Sequence, residues 1–207
     1  MIRKLIHDRS GASGAEFALL VPLLLLLIFG IIDAGRWMWT YNEAAKAAQM
    51  GARYAVVAYA PAGSYDPTTK VGTGIYESYL GVGGLTQGDA IPASAFGTVK
   101  CNDIECTCEA GACPALDEYN QARFEEIVDR MRAFMPQIDY DNVELLYSSS
   151  GLGYAGDPNG ADVSPLVTVR LIDLQFRPLT ALLLATFDMP TFTTSLTAED
   201  LRGAQSN

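Results

Sequence analysis

The stretch FALLVPLLLLLIFGII, Phe17 to Ile32, decides how the rest of this 207-residue chain must be read. Its sixteen residues carry no charge and are bounded by Glu16 and Asp33. At a helical rise of about 1.5 Å per residue it spans roughly 24 Å, slightly less than a hydrocarbon core of about 30 Å. Ala12 to Ala15 on one side and Ala34 and Gly35 on the other extend the helix, and Trp37, Trp39 and Tyr41 supply interfacial aromatics. The segment therefore reads as a membrane-spanning helix. Pro22 removes one backbone donor inside it and predicts a kink or a local unwinding. Arg3, Lys4 and Arg9 against Asp8 make the preceding segment basic, which by the positive-inside rule places the N-terminus in the cytoplasm and everything beyond Ile32 outside. A cleaved secretory signal shares the basic start and apolar middle, but Ile31-Ile32-Asp33 offers no small-x-small cleavage site.

Composition narrows the classes of function. With 14 Lys and Arg against 24 Asp and Glu, the formal charge is -10, and no basic cluster stands ready to neutralise phosphates, so nucleic-acid binding is not expected. The one histidine is His7, outside the main body, which leaves Ser-His-Asp and Cys-His catalysis without a base. Acid pairs such as Asp117-Glu118 and Glu125-Glu126 fall within an amphipathic pattern, where they read as a solvated face. No cofactor or metal is expected, and the protein reads as a non-enzyme.

Immediately before the apolar run stands Gly11-Ala12-Ser13-Gly14-Ala15-Glu16-Phe17, following the basic leader. A carboxylate at the head of a membrane helix needs a reason, because such a group at the bilayer centre costs about 2.5–3.5 kcal/mol. Glu16 can favour the helix N-terminus through the macrodipole. If the chain is cut after Gly11, it can also pair with the new amine of Ala12, about 6 Å along the helix, or with that of a neighbouring helix. The segment resembles a class III signal of the type IV pilin kind, in which a prepilin peptidase cuts after glycine and a glutamate occupies the fifth mature position. A cut after Gly14 would put Glu16 at the second position instead, so Gly11 is the expected site. The continuation Ala15 to Leu24, then Phe29-Gly30-Ile31-Ile32-Asp33, Tyr41-Asn42 and Gly51-Ala52-Arg53-Tyr54-Ala55, is similar to the TadE-like pseudopilins of the tight-adherence (Tad) pilus system. That resemblance covers roughly residues 11 to 57. It implies a minor pseudopilin that helps to assemble or initiate a pilus for surface adhesion, held in the bacterial inner membrane with its C-terminal domain periplasmic. The partners it implies are the prepilin peptidase, other pilins and pseudopilins, and inner-membrane assembly proteins.

Past the membrane the helix is expected to continue to about Val57. Asn42, Lys46, Gln49 and Arg53 recur on one face at a 3.6-residue period, and Ala44, Ala48, Ala52 and Ala55 make an opposing smooth one. That smooth face can receive either this chain's own outer domain or a sister helix. Residues 62 to 100 read as a loop-rich surface with a helix or strand near Ile75 to Leu80. Cys101, Cys106, Cys108 and Cys113 form a C-x4-C-x-C-x4-C cluster, which in an exported domain reads as two disulfides rather than zinc. A bridge across one residue, Cys106 to Cys108, is disfavoured by geometry, which leaves the sequential and crossed pairings open. An amphipathic helix is predicted over Leu116 to Phe134, stopped by Pro136, and strands over Val143 to Tyr147, Leu166 to Phe176 and Thr191 to Thr197. Asp157 to Asp162 has oxygen ligands at plausible calcium spacing without the full EF-hand pattern, and reads as a turn. Leu179 to Phe187 is too short to span a membrane and reads as a buried connection.

The expected architecture is α+β: a leader over 1–11, a transmembrane and extended helix over 12–60, and an exported domain over 61–207 with its Cys-rich loop at 101–113. In that domain an antiparallel sheet and one further helix pack on the outer half of the long helix, in the manner of a pilin lollipop. A signal-anchored exported binding module, uncut and with no role in a filament, is the rival class.

Overall fold

In the computed structural model the described residues are 12–66, 71–74, 79–111, 113, 116, 119–156, 162–182 and 186–198. Gly11, most of Ile75 to Leu80, and Asp157 to Ala161 lie outside them. Helix α1 runs over Ala12–Ala55, 44 residues with Pro22 inside. The expected unwinding at Pro22 does not occur, because one missing N–H removes only the bond to the carbonyl four residues back and leaves its neighbours intact. Asn42, Lys46, Gln49 and Arg53 are all exposed. Ala44, Ala47, Ala48, Ala52 and Ala55 are fully buried, so the smooth face serves the chain's own outer domain.

The chain divides into two compact units, Met1–Tyr41 with Gln175–Asp188, and Asn42–Leu174 with Met189–Asn207. The larger unit is built on an antiparallel five-stranded sheet. In chain order its strands are β3 (Thr98–Cys101), β4 (Cys106–Ala110), β5 (Val143–Ser148), β6 (Leu166–Leu171) and β9 (Phe192–Thr197), after a separate hairpin of β1 (Gly63–Asp66) and β2 (Val71–Gly74). The spatial order is β4-β3-β5-β6-β9. Strand alternation sends Val99, Cys101, Val143, Leu145, Tyr147, Val167, Val169 and Leu171 to a buried face. The opposite face is polar. There Lys100 lies 3.7 Å from Glu109 and 3.6 Å from Glu144, Arg170 lies 3.4 Å from Glu144, and the Thr168 and Ser195 hydroxyls bond at 2.8 Å.

Helix α2 (Gln121–Arg132) buries Phe124, Ile127, Val128 and Met131. It is shorter than the predicted Leu116 to Phe134 because Asn120 caps it, its side chain accepting the Arg123 N–H at 3.2 Å. Tyr119, which the pattern assigns to the helix, instead bridges Ala62 and donates its hydroxyl to the Asn102 carbonyl at 2.8 Å. The acid pair on α2 is engaged in hydrogen bonds, one within the helix and one across to α1: Glu125 accepts from Gln121 at 2.8 Å, and Glu126 accepts the hydroxyl of Tyr54.

Two further expectations are corrected. The strand predicted over Leu166 to Phe176 breaks after Leu171, because Asp173 takes a positive φ of 54°, a left-handed turn that an aspartate tolerates. The run resumes as β7 (Gln175–Phe176), which pairs with β8 (Phe187–Asp188) rather than with the main sheet. Most of the predicted Cys-rich loop lies in a hairpin: β3 and β4, over residues 98–110, pair with Cys101 opposite Cys106. The Asn102 side chain accepts the Ile104 and Glu105 N–H groups at 2.9 and 2.8 Å to shape its turn. In the loops flanking the sheet, Asp162 is buried and accepts the Tyr79 N–H at 2.6 Å. Burial, with the Asp162 charge beside it, pushes the Tyr79 phenol up to about 12.

Gly51 marks where α1, α2 and β6 meet. A Cβ there would stand 2.6 Å from Met131 Sδ and 3.4 Å from Val169 Cγ1. Gly51→Ala gains up to about 1 kcal/mol of helix propensity and costs about 1–3 kcal/mol of overpacking against a fully buried Met131. The expected outcome is a net loss of roughly 1 kcal/mol in urea denaturation. In a double-mutant cycle with Met131→Ala the two changes should be less than additive.

Candidate membrane and assembly site

The residues the sequence singles out fall into the two units. Ala12 opens α1, Glu16 lies exposed one turn later, and the large side chains of the run Phe17 to Ile32 follow with exposures from 41% at Phe29 to 79% at Leu19, Val21 alone being half-buried. A helix this long and apolar is able to cross a membrane by length and composition. Its surface gives a partner only dispersion and shape: Phe17, Leu19, Leu20, Leu23 and Leu24 on the first turns, with Gly14, Gly30 and Gly35 meeting nothing within 4 Å of where a Cβ would stand.

The four cysteines belong to the larger unit. They stand as Cys101–Cys106 and Cys108–Cys113, each pair five residues apart. The first closes the β3–β4 hairpin at its turn, and the second fastens the end of β4 to the segment after it, where Cys113 Sγ is 3.5 Å from the Thr98 carbonyl. Burial and the charges of Asp103 and Glu125 push the phenol of Tyr119, which rests on this turn, up to about 12.

In the sequence Asp33 marks the end of the apolar run and closes the Phe29-Gly30-Ile31-Ile32-Asp33 element, with no partner indicated. In the structure it is 7% exposed, and its carboxylate is saturated from a segment 146 residues away. Oδ1 accepts the Leu179 N–H at 2.6 Å and Arg36 Nη1 at 3.1 Å; Oδ2 accepts the Thr180 N–H at 3.0 Å and the Thr180 hydroxyl at 2.9 Å. Four donors fill the four acceptor sites of an ionised carboxylate. The donors sit at the start of a short 3-10 turn, Leu179–Leu182, between β7 and β8. Phe176 of β7 packs edge-on to Trp37 with ring centroids 5.2 Å apart, and the Arg36 guanidinium lies 5.4 Å from its centroid. Trp37 is therefore a packing partner as well as an interfacial aromatic. At its described ends the segment 179–187 departs from the buried connection that its composition suggests: Leu179 is 57% and Phe187 47% exposed while Thr180 is buried. The polar residue turns inward because the carboxylate is there to receive it.

With this geometry in hand, the comparison with known families is specific: the model of the TadE-like protein family matches residues 11–53. The matched segment is Gly11 followed by α1 as far as Arg53, from the small-residue head through Glu16, the apolar run and Asp33 to the buried Ala44, Ala47, Ala48 and Ala52. No curated protein matches the chain, and no solved structure matches it.

Two consequences can be measured. Asp33→Ala leaves two amides and a hydroxyl without acceptors, each costing about 1–3 kcal/mol. Hydrogen exchange of the Leu179 and Thr180 amides in the detergent-solubilised protein should accelerate about a hundredfold, the equivalent of roughly 2.7 kcal/mol of local stability, while the β5 and β6 amides keep their protection. Replacing Cys101 and Cys106 together by serine releases a short loop worth about 2 kcal/mol in chain entropy, and the urea midpoint should fall accordingly without loss of the β5–β6–β9 ladder.

Proposed function

We propose that this chain is a minor pseudopilin of a Tad-type pilus, anchored in the bacterial inner membrane by α1 and acting in assembly or initiation of the filament. The observation that carries the proposal is an uncovered apolar helix headed by a single carboxylate, in the segment that matches the TadE-like family. The N-terminus is cytoplasmic and the larger unit periplasmic, in accord with the basic leader and the cysteine pairs. A prepilin peptidase cuts between Gly11 and Ala12, freeing an amine at the head of α1. The function is mechanical and interactive, not catalytic.

The physics of transfer from membrane to filament follows from α1 itself. Its apolar surface is equally satisfied by acyl chains or by the helices of neighbouring pilins, so exchange between the two is close to neutral, and packing contacts decide it. Glu16 exchanges headgroup solvation for the Ala12 amine of a neighbour, a contact that gains strength as water is excluded. Register is set at that contact, because apolar helices alone slide past each other at little cost.

The N-terminal residue of the protein isolated from its native membranes, read by mass spectrometry, should be Ala12. A Met1 start would remove the proposed amine and leave an unprocessed membrane anchor, compatible with an uncut family member but favouring the anchored binding-module class. Glu16→Ala should insert into the membrane normally and enter sheared pilus fractions several-fold less than the wild type. Undiminished incorporation would defeat the assigned role of Glu16.

A further inference from the structure

Exposed Leu179, between β7 and β8, and exposed Phe187 of β8 lie in the same compact unit as the membrane helix, and the Asp33 carboxylate fixes the height of Leu179 along it. From Glu16 to Asp33 is seventeen residues, about 25 Å at the helical rise, against a hydrocarbon core of about 30 Å. With Glu16 at one boundary, Asp33 does not clear the other. A bare carboxylate at that depth is costly. Here it is wrapped by Leu179, Thr180 and Arg36, which supply every hydrogen bond it can take. Satisfying Asp33 in this way brings the Leu179–Leu182 turn to the level where the apolar run ends.

What Leu179 and Phe187 present there is apolar. The segment reads Leu179-Thr180-Ala181-Leu182-Leu183-Leu184-Ala185-Thr186-Phe187, with no charge between Arg177 and Asp188. Thr180 turns to Asp33, while Leu179 and Phe187 face outward. Arg177, exposed just after β7, carries a guanidinium of the kind that meets lipid phosphates. Exposed Leu179 and Phe187, the basic Arg177 and an adjoining aromatic, Trp37, form the ordered set found at a bilayer boundary.

We infer that the β7–β8 hairpin is a second membrane-contacting element, a finger whose Leu179 and Phe187 enter the outer-leaflet interface beside α1, with Asp33 as the clamp that holds it at that depth. The occupant of the exposed surface is lipid. This inference rests on the anchored reading of α1 given above.

The test uses the full-length protein, with its disulfides intact, in vesicles of phosphatidylethanolamine and phosphatidylglycerol containing brominated phosphatidylcholine. A single cysteine carrying an environment-sensitive fluorophore is placed in turn at Leu179→Cys, at Leu152→Cys on an exposed loop of the larger unit, and at Leu25→Cys in the apolar run. The expected result is a blue-shifted emission at position 179 that is quenched by lipid brominated near the headgroup and shielded from aqueous iodide. Position 152 should stay open to iodide, and position 25 should be quenched by lipid brominated deep in the chain. Quenching at 25 with iodide access at 179 equal to that at 152 overturns the finger and leaves the anchor standing. Loss of lipid quenching at both 25 and 179 overturns both. A blue shift at 179 that needs high protein density and is insensitive to brominated lipid assigns the surface to a second copy of the chain and also overturns the proposal. With Asp33→Ala added, lipid quenching at 179 should fall toward that at 152 while quenching at 25 is unchanged.

Discussion

A carboxylate that closes an apolar helix has to be solvated by water, by headgroups or by protein, and Asp33 is solvated by protein. Two backbone amides, one hydroxyl and one guanidinium complete its shell. The remaining features of the smaller unit follow from this one constraint. The 3-10 turn exists to aim its first two amides at the oxygens, Thr180 is buried because its hydroxyl has an acceptor, and the neighbouring leucine is turned outward as a result. Phe176, lodged between Trp37 and Arg36, adds apolar contact to a joint that otherwise consists of hydrogen bonds.

In the larger unit the organising constraint is steric. An alanine face with Gly51 at its centre lets the last turns of α1 lie close to α2 and β6, and the approach leaves no room for even a methyl group beside Met131. Large side chains come from the other partners: Phe124, Ile127 and Met131 from α2, and Leu145, Tyr147 and Leu171 from the sheet. One helix contributes proximity and the others contribute volume, which fills the core at high density without bulky residues on the element shared with the apolar run.

Much of this could be read from the chain. The apolar run, the alanine stripe opposite Asn42, Lys46, Gln49 and Arg53, the amphipathic face of α2 and the strands at 143, 166 and 192 all announce themselves by periodicity, a local property. The β3–β4 hairpin escaped because its strands are only four and five residues long and rich in cysteine and turn formers, so the alternation of Val99 and Cys101 never completes a second period. The break at Asp173 depends on a single backbone angle that no pattern records. The Asp33 clamp joins residues 146 positions apart, and apolar composition at 179–187 pointed to burial when the buried group was the threonine. At Asp33 and at Thr180 a specific polar partner outweighed an average tendency.

The excursion that carries β7 and β8 leaves and rejoins the larger unit at one point, since the Met189 N–H donates to the Leu174 carbonyl at 2.8 Å. With its ends already held together, the insertion is topologically a closed loop hung on the β6–β9 connection. Lengthening it costs little, on the order of 0.6 kcal/mol for each doubling, and leaves the ladder between Leu166–Leu171 and Phe192–Thr197 in register. Selection can therefore rewrite the tip while the five-stranded sheet keeps its own sequence requirements, and the two parts are free to evolve at different rates.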